Sequence, residues 1–524
     1  MSERISRRRS RRPAQISATP HQDRTAGPQS ASQPKSFFPK ADRDSIVVMP
    51  VGGIGSIGSN WTLYGHGSPG SWILVDAGAG MPPKGVAGIQ VVVPDPAQLK
   101  PILDRLVAIV ITHAHYDHIG GLPALVPYLR EGTRIYATRF AAECVRNHLE
   151  RYDVQDRVEI RTFSPNHSLT LKPFTLHPIK VAHSSPEALA FGIQTEAGRI
   201  LHTGDWRIDE APNTTWKTDF EAIRRFSRPG LAAMVADSTC ADRAAPSPSE
   251  SQIAANFAEF LERQSGLVVA ACFSSHVDRA AGMMQAATAV GRVAFVAGLS
   301  LLRTLDAAKG VGILDERHNY ETDLRLLESY PPSRCLLICT GSQGEENAIL
   351  RRLADDDRRL PEVAGRDTVL LSSRVIPGNE PEVGAMVDIF RDRHVDVFIG
   401  QDGDLQLHAS GHASRPEIET MLEAAKPRLL IPVHGADHHL EAHVDLARSA
   451  GVPECHVPAN GRAIRVTGTG CSDAGSVEFR PMAGILRNDR LVLKPLEVAV
   501  AEAEEHAIRR AARRGAPSIP AAAE

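Results

Sequence analysis

Short apolar runs alternate with amphipathic stretches along the chain from about residue 45 onward. Runs such as LVAIVI (106–111), LVVAACF (267–273) and RLLIPV (428–433) have the length of buried strands, whereas FAAECVRNHLERY (140–152) has helical spacing. Repeated alternation of strands and helices is typical of α/β proteins. The pattern therefore predicts an α/β fold with more than one sheet.

Changes in this pattern predict the domain organisation. The segment rich in Arg, Ser, Gln and Pro is expected to be disordered, and its block RRRSRR (7–12) is either a solvated tail or a phosphate-binding arm. Amphipathic residues near the C-terminus predict a helix that packs, or that touches a partner. The predicted divisions are a basic tail (1–44), a first domain (45–240), a second domain with its own sheet (241–404), a return to the first domain (405–470) and a short C-terminal extension (471–524).

Composition indicates an ordinary soluble globular protein. Of 524 residues, 42% are apolar and 23% are charged, and the net charge is −3, so no global charge attracts nucleic acid. Apolar runs are too short for a membrane span, and the basic N-terminus lacks the hydrophobic stretch of a secretory signal. Seven scattered cysteines are typical of core residues in a reducing compartment. We therefore expect a cytoplasmic protein that does not bind membranes.

A glycine pattern near the start resembles a dinucleotide-binding fingerprint. Gly53, Gly55 and Gly58 have its spacing, and Asp76 follows eighteen residues after Gly58. The residues after Gly58, NWTLYGH, favour a second strand, whereas a pyrophosphate site requires a helix there. Turn glycines between two strands are the better interpretation.

The densest concentration of chemical groups is the segment ITHAHYDHIGGL (111–122). It brings His113, His115, Asp117 and His118 into six residues, directly after a predicted buried strand. Imidazoles and a carboxylate are ligands that suit a borderline divalent metal such as zinc or manganese. The segment therefore predicts a metal site at the end of a strand.

Three further side chains follow the same pattern of an apolar strand that ends in His or Asp: His183, Asp205 and His434. With the first cluster they supply three ligands for each of two metals and one bridging carboxylate, the number that a two-metal phosphate-displacing site needs. Asp76 is placed either to orient an imidazole of the site or to cap its own turn.

These residues resemble the metallo-β-lactamase superfamily, since HAHYDH, His183 and Asp205 occur in its order. Asp237 in ADSTC, His412 in SGHAS and His434 in IPVHG resemble motifs A, B and C of the β-CASP nucleases. The resemblance narrows to the ribonuclease J family through GGIGSIGSN, THAHYDHIGGLP, LHTGDW, CTGSQGE, SSRVIPGNE and KPRLLIPVHGADHHLEAH. It covers residues 45 to 468.

The resemblance implies an αββα metallo-β-lactamase sandwich with an inserted α/β β-CASP domain. It implies a metal-dependent ribonuclease with 5′-to-3′ exonuclease and endonuclease activity in RNA processing and decay, and a preference for 5′-monophosphorylated RNA. Two divalent ions are implied, most simply zinc, with manganese or magnesium possible. A homodimer or homotetramer is possible, although the short C-terminal region weakens that expectation.

The resemblance also assigns roles to residues by position. His113, His115 and His183 would hold one metal, and Asp117, His118 and His434 the other, with Asp205 bridging. His412 would protonate the leaving oxygen or stabilise the transition state, with Asp237 orienting it, and Asp117 is counted with these catalytic groups as well as with the ligands. Plausible phosphate contacts are His408, Ser410, Gly411, Ser372 and Ser373.

The chain departs from the family pattern in three places. Ala114 replaces a usual glycine and Tyr116 a commonly acidic residue, and the context of His183 becomes AHSSPEA. The C-terminal region is also short. None of these changes removes a predicted ligand, so we expect them to adjust the site without abolishing it.

Three other functions are compatible with parts of the pattern. A small-molecule metallohydrolase on the same sandwich would not need the long inserted domain. A DNA-directed β-CASP nuclease is disfavoured by His434. A non-catalytic RNA-binding subunit of a degradation complex is disfavoured because the whole ligand set is present.

Overall fold

The computed structural model describes residues 38–83, 86–376, 378–400, 404–487 and 490–513. The predicted basic tail therefore lies outside the described residues, except for 38–44. Among the helices of the described residues, none is both long and apolar enough to cross a membrane.

The strands are β1 (Ile46–Gly52), β2 (Trp61–His66), β3 (Ser71–Val75), β4 (Ile89–Pro94), β5 (Leu106–Val110), β6 (Thr133–Ala137), β7 (Val158–Thr162), β8 (Leu169–Leu171), β9 (Phe174–Lys180), β10 (Leu189–Thr195), β11 (Gly198–His202), β12 (Leu231–Asp237), β13 (Val268–Ala271), β14 (Val293–Ala297), β15 (Cys335–Cys339), β16 (Thr368–Leu371), β17 (Asp396–Ile399), β18 (Pro427–Val433), β19 (Glu454–Cys455), β20 (Arg462–Thr467), β21 (Gly470–Ser476), β22 (Pro481–Arg487) and β23 (Arg490–Pro495).

The helices are α1 (Tyr116–Ile119), α2 (Leu122–Leu125), α3 (Arg139–Glu150), α4 (Phe220–Ser227), α5 (Glu250–Glu262), α6 (Val277–Ala289), α7 (Leu299–Gly310), α8 (Ile349–Ala354), α9 (Glu380–Asp392), α10 (Arg415–Ala425), α11 (Asp437–Ser449) and α12 (Leu496–Arg513).

Two large sheets lie face to face in the first domain. One has the order β21-β20-β1-β2-β3-β5-β6-β7, and the other has the order β19-β18-β12-β11-β10-β9-β8. Their facing strands bury a shared core that includes Tyr64, Ile73, Phe191, Val235 and Ile431. The hydrophobic effect holds the layers together, because each sheet removes the other's apolar face from water.

Helices cover the outer faces of both sheets. Residues of α2 and α3 pack on the first sheet, and residues of α4, α10 and α11 pack on the second. The predicted αββα sandwich is therefore confirmed. The glycine-rich segment connects β1 to β2, which pair antiparallel, so its interpretation as a turn between strands is also confirmed.

A five-stranded parallel sheet, β14-β15-β13-β16-β17, forms the core of the inserted domain. Its apolar strands are buried on both faces, by α5, α6 and α7 on one side and by α8 and α9 on the other. The chain leaves the sandwich after β12 and re-enters it at β18. These two strands are parallel neighbours, so the inserted domain and α10 together connect the carboxyl end of β12 to the amino end of β18.

Both ends of the described chain attach to the sandwich. The Phe38 ring meets Trp72 edge-on at 5.4 Å, and Asp42 pairs with Arg465, so residues before 45 also pack on this domain. At the other end, β21 joins the eight-stranded sheet, and β22 pairs with β4 and β23. The C-terminal extension therefore adds strands to the first domain.

Candidate active site

The predicted metal ligands and Asp237 lie at the carboxyl ends of strands in the two facing sheets. The segment 113–118 follows β5, His183 follows β9, Asp205 follows β11, Asp237 ends β12 and His434 follows β18. Parallel strands bring their carboxyl ends to one edge of a sheet, which is where α/β proteins place their ligands. The structure brings all of these side chains together there.

The first predicted ligand group forms a compact set. His113, His115, His183 and Asp205 each offer one ligand atom within 4.8 Å of the others. His183 Nε2 lies 3.0 Å from His115 Nδ1, and His113 Nε2 lies 3.6 Å from Asp205 Oδ2. Three imidazoles and one carboxylate thus converge on one point.

The second predicted group shares Asp205 with the first. Asp117, His118, Asp205 and His434 also offer atoms within 4.8 Å of one another. His434 Nε2 lies 3.1 Å from Asp117 Oδ2, and His118 Nε2 lies 3.2 Å from Asp205 Oδ2. Because Asp205 belongs to both groups, its position is that of a carboxylate able to bridge two ions.

Hydrogen bonds on the outer side of the imidazoles select their tautomers. His118 Nδ1 donates to Asp76 Oδ2 at 2.7 Å, and His183 Nδ1 donates to the Gly411 carbonyl at 2.6 Å. With its Nδ1 protonated, each neutral ring directs the Nε2 lone pair at the cluster. The role that the sequence considered for Asp76, orientation of an imidazole, thus has a geometric basis.

The carboxylates of the cluster raise the pKa of two of its buried imidazoles. Burial alone would lower the pKa of His118, but Asp205, Asp117 and Asp76 raise it well above its usual value. Burial is likewise outweighed at His434, where Asp205 and Asp117 raise the pKa to about 10. These carboxylates therefore favour positive charge at this edge of the sheet, supplied either by protons on the imidazoles or by bound cations.

The residues present fit a pair of divalent ions. His113 Nε2 and Asp205 Oδ2 are buried without a hydrogen-bond partner, which is costly unless another group satisfies them. Burial, and then the charge of His118, lower the pKa of His113, so this ring is neutral and can donate its lone pair. Imidazole nitrogens with carboxylate oxygens are a donor set for zinc, and manganese shares the preference for carboxylates.

A second pair of side chains lies beside the cluster. His412 Nδ1 lies 2.8 Å from Asp237 Oδ2 and 3.9 Å from Asp205 Oδ2. Burial alone would lower the pKa of His412, but Asp237 and Asp205 raise it. The His412 side chain keeps 20% exposure. An imidazolium with one nitrogen on a carboxylate and the ring partly open to solvent is suited to proton donation.

Among the predicted phosphate contacts, His408 keeps a free donor, whereas the hydroxyl of Ser372 is already bonded within the protein. The segment 407–412 is near the cluster, and its His408 Nδ1 lies 3.4 Å from an Arg279 nitrogen, which leaves Nε2 to donate elsewhere. Ser372 and Ser373 are buried. The Ser372 hydroxyl donates to the Leu407 carbonyl and accepts from Arg279, so its bonds are made within the protein.

The other two predicted phosphate contacts are already bonded within the chain. Ser410 Oγ accepts from the His412 amide, and the Ser410 carbonyl accepts from Arg207. The Gly411 carbonyl accepts from His183, and a Cβ at this glycine would lie 2.9 Å from the His183 ring. Both residues therefore position their neighbours, and phosphate binding by them stays a prediction.

A buried charge network connects the two domains below segment 407–412, and the sequence did not reveal it. Arg279 makes a bidentate pair with Glu250 at 2.8 Å, and it also donates toward the carbonyls of Leu407 and Ala409. From the sandwich, Arg207 donates to Asp209 and to the Ser410 carbonyl. The pattern of apolar residues carries no signal for the Arg279–Glu250 pair, because its partners are 29 residues apart.

Asn60 is a further site residue that the sequence left unassigned. Its Nδ2 lies 3.2 Å from Asp117 Oδ2 and 3.0 Å from His118 Nε2. A polar side chain after the turn glycines was the available signal. The backbone packs so closely here that only glycine fits at position 78, since a Cβ there would lie 1.5 Å from the Asp117 carbonyl oxygen.

Fold and site together define a metallo-β-lactamase-type hydrolase with an inserted β-CASP domain. Three family models match the chain: a β-lactamase superfamily domain over residues 71–291, a ribonuclease J β-CASP domain over 265–390, and a Zn-dependent metallo-hydrolase RNA specificity domain over 406–458. The three ranges succeed one another along the chain, and the first runs past β12 into the inserted domain.

Similarity to relatives named ribonuclease J assigns the chain to a family within this class of hydrolase. The Sinorhizobium meliloti protein is 35% identical, covering 82% of this chain and 76% of the relative, and the Mycolicibacterium smegmatis protein is 33% identical, covering 83% and 77%. The chain spans 59% of the Helicobacter pylori protein, at 32% identity. The chain belongs to the ribonuclease J family.

A solved Enterococcus faecalis protein of unknown function shares the fold, with a TM-score of 0.53, 13% identity, and coverage of 80% of this chain and 99% of that one.

Proposed function

We propose that this protein is a metal-dependent ribonuclease that hydrolyses RNA phosphodiester bonds. The observation that carries the proposal is the junction of two ligand groups through Asp205, with the Asp237–His412 pair 3.9 Å from that carboxylate. Such a site can hold two ions, a water and a phosphate. Membership of a family whose relatives are named ribonuclease J supports RNA as the substrate.

Two divalent ions would be held by His113, His115 and His183 on one side and by Asp117, His118 and His434 on the other, with Asp205 between them. When bound, they would supply a hydroxide near neutral pH and neutralise the phosphate oxygens. Zinc is the ion that the histidine-rich donor set favours, with manganese or magnesium as alternatives.

The chain's own groups then orient and transfer protons. Asp237 accepts from His412 Nδ1, so the Nε2–H of the imidazolium is left to protonate the departing ribose oxygen. Asp76 and the Gly411 carbonyl hold His118 and His183 in the tautomer that binds metal. We assign catalysis to His412 and Asp237 together with Asp117.

Finer features of the activity are part of the same proposal. We propose 5′-to-3′ exonuclease and endonuclease cleavage, a preference for a 5′-monophosphate, and cytoplasmic RNA processing and decay. His408, whose Nε2 is left to donate, is the best supported of the five phosphate contacts; Ser410, Gly411, Ser372 and Ser373 would shape its surroundings. A homodimer or homotetramer is possible.

The test is an RNA decay time course with end-labelled transcripts. We expect cleavage with zinc or manganese, loss of cleavage in EDTA, and faster decay of 5′-monophosphorylated than 5′-triphosphorylated RNA. Metal analysis of the same sample should give two ions per chain. Intact RNA with every metal would contradict the proposal and favour a non-catalytic RNA-binding subunit, whereas cleavage of DNA alone would favour a DNA-directed nuclease.

Replacing His118 by Ala removes one ligand of the second group. We expect RNA cleavage to fall by at least about a thousandfold, because a two-metal site depends on both ions. Full cleavage by this variant would show that the cluster is not the active site. His177 is a matched control, since its ring bonds the Ser168 hydroxyl outside both ligand groups, and the His177→Ala variant should keep most activity.

A further inference from the structure

Large apolar side chains are exposed around the mouth of the proposed metal site. Met81 is 68% exposed, Ile57 45% and Tyr116 39%. Single exposed apolar residues are ordinary, whereas several on one rim indicate a contact surface. Neither the ligand groups nor the Asp237–His412 pair uses these three side chains.

The backbones that carry them meet one another and the cluster. The Ala79 amide donates to the Tyr116 carbonyl at 3.2 Å, so the Met81 loop lies against α1. A Cβ at Gly58 would lie 3.3 Å from Gly80 Cα and 3.9 Å from Asp117 Cβ. The segments that carry the three side chains therefore lie beside one another and beside the proposed ligand Asp117.

The Tyr116 ring is held in place although it is exposed. Its hydroxyl donates to the Gln90 carbonyl at 3.1 Å, and the His148 ring meets it edge-on with centroids 5.8 Å apart. A Cβ at Gly120 would come within 2.8 Å of the ring, so the ring lies directly on the α1 backbone. A fixed aromatic ring loses little conformational entropy when a ligand stacks on it.

We propose that Ile57, Met81 and Tyr116 form a stacking platform for nucleobases of single-stranded RNA beside the scissile phosphate. The inference rests on the proposed ribonuclease function. Aromatic and thioether side chains offer flat or polarisable apolar surface, which suits the faces of all four bases and gives binding with little sequence preference. The position next to Asp117 makes RNA the occupant, because bases that flank a bound phosphate must lie within reach of this rim.

Binding is measured in the His118→Ala background, so that the RNA stays intact. A fluorescein-labelled single-stranded 12-mer is titrated and followed by anisotropy, with the same oligomer carrying one abasic ribose at successive positions. We expect Tyr116→Ala to raise the Kd for the intact oligomer by about 5- to 100-fold. An abasic ribose at the stacked position should weaken the parent similarly and weaken the Tyr116→Ala variant no further.

Matched variants separate stacking from folding. Tyr116→Phe keeps the ring and should bind within about threefold of the parent, and Met81→Ser changes a side chain too exposed to affect the core but should still weaken binding. Tyr330 is 40% exposed on the inserted domain, so Tyr330→Ala should have no effect. Thermal melting of each variant verifies its fold.

In the otherwise unchanged enzyme, turnover of bis(p-nitrophenyl) phosphate separates the platform from the metal chemistry. Tyr116→Ala should lower kcat/KM for RNA and leave that for the small phosphodiester unchanged. If RNA is cleaved but the abasic ribose weakens binding equally in the parent and in Tyr116→Ala, the platform is refuted and the ribonuclease function stands. It is also refuted if Tyr116→Ala alters only self-association. A parent that neither binds nor cleaves RNA refutes both proposals.

Discussion

The Asp76 carboxylate orients the proposed metal ligand His118 through a hydrogen bond. One oxygen accepts from His118 Nδ1 and from the Thr112 hydroxyl, each at 2.7 Å, and the other accepts from the Thr112 amide at 2.8 Å. The residue also has a φ of 61°, a conformation that Asp and Asn tolerate better than most residues. Asp76→Asn therefore changes the hydrogen bonding without straining the backbone.

We expect Asp76→Asn to weaken metal binding by about 10- to 100-fold. An amide can accept at only one of the two oxygen positions, so either His118 or Thr112 then faces an NH2 group. If His118 must accept, its proton moves to Nε2 and the ring no longer offers a lone pair to the cluster. Calorimetric titration of zinc or manganese measures the loss, and unchanged affinity in a folded variant would show that Asp76 only caps its turn.

Asp278 gives the protein a predictable dependence of stability on pH. Burial and the charge of Glu250 raise the pKa of Asp278 to about 7, although its oxygen accepts from the Thr214 amide at 2.5 Å and from its hydroxyl at 2.8 Å. Between about pH 4 and pH 7 the folded protein keeps a proton that the unfolded chain releases. The stabilisation by this group is therefore complete below pH 4 and is lost as the pH rises through 7.

The Asp278→Asn variant should lack this contribution. We expect the difference in urea-unfolding free energy, wild type minus variant, to fall from pH 5 to pH 8, because an amide does not titrate. Comparing the two proteins cancels the other titrating groups. A difference that stays constant, or that grows with pH, would mean that Asp278 is ionised in the folded protein throughout this range.

Individual strands and the clusters at their ends could be predicted from the sequence because their signal is local. The run LVAIVI comprises β5 and the one residue after it, and the histidines follow at the carboxyl end of the strand. The stretch GLPALVPYLREG (121–132) follows the histidines and forms only the single turn α2 and a 3-10 turn before β6. The Arg279–Glu250 pair left no local pattern, since 29 residues separate its partners and the segment it holds follows 128 residues later.

The pairing of α5 with α6 through Glu250 and Arg279 should be required for stability. Replacing Arg279 by Met leaves the Glu250 carboxylate buried with its main partner removed, which costs about 3–5 kcal/mol. Adding Glu250→Leu removes that unpaired charge, so the double variant should recover part of the loss in urea unfolding. A double variant less stable than the single one would show that Glu250 mainly serves Arg207 and His276, which lie 3.7 and 3.5 Å from it.

At the scale of the whole molecule, the proposed ligands come from segments far apart in the chain. His113 and His434 are separated by the rest of the sandwich and by the entire inserted domain. Only the folded chain brings them together, so ions bound there stabilise the folded state by mass action. Metal removal should therefore affect stability as well as activity.

We expect EDTA to lower the melting temperature and zinc or manganese to restore it. Free metal at a hundredfold excess over its Kd adds about 2.7 kcal/mol for each site, because neither ligand group is complete in the unfolded chain. His434→Ala removes a ligand that joins the returning chain to Asp117, so its melting temperature should respond less to metal than that of the parent. His456→Ala is the matched control, since this ring lies outside the two ligand groups, and its metal response should be normal. An equal response of the parent and His434→Ala to metal would place the bound ion elsewhere, because a site built across both segments must lose affinity when one of them loses its ligand.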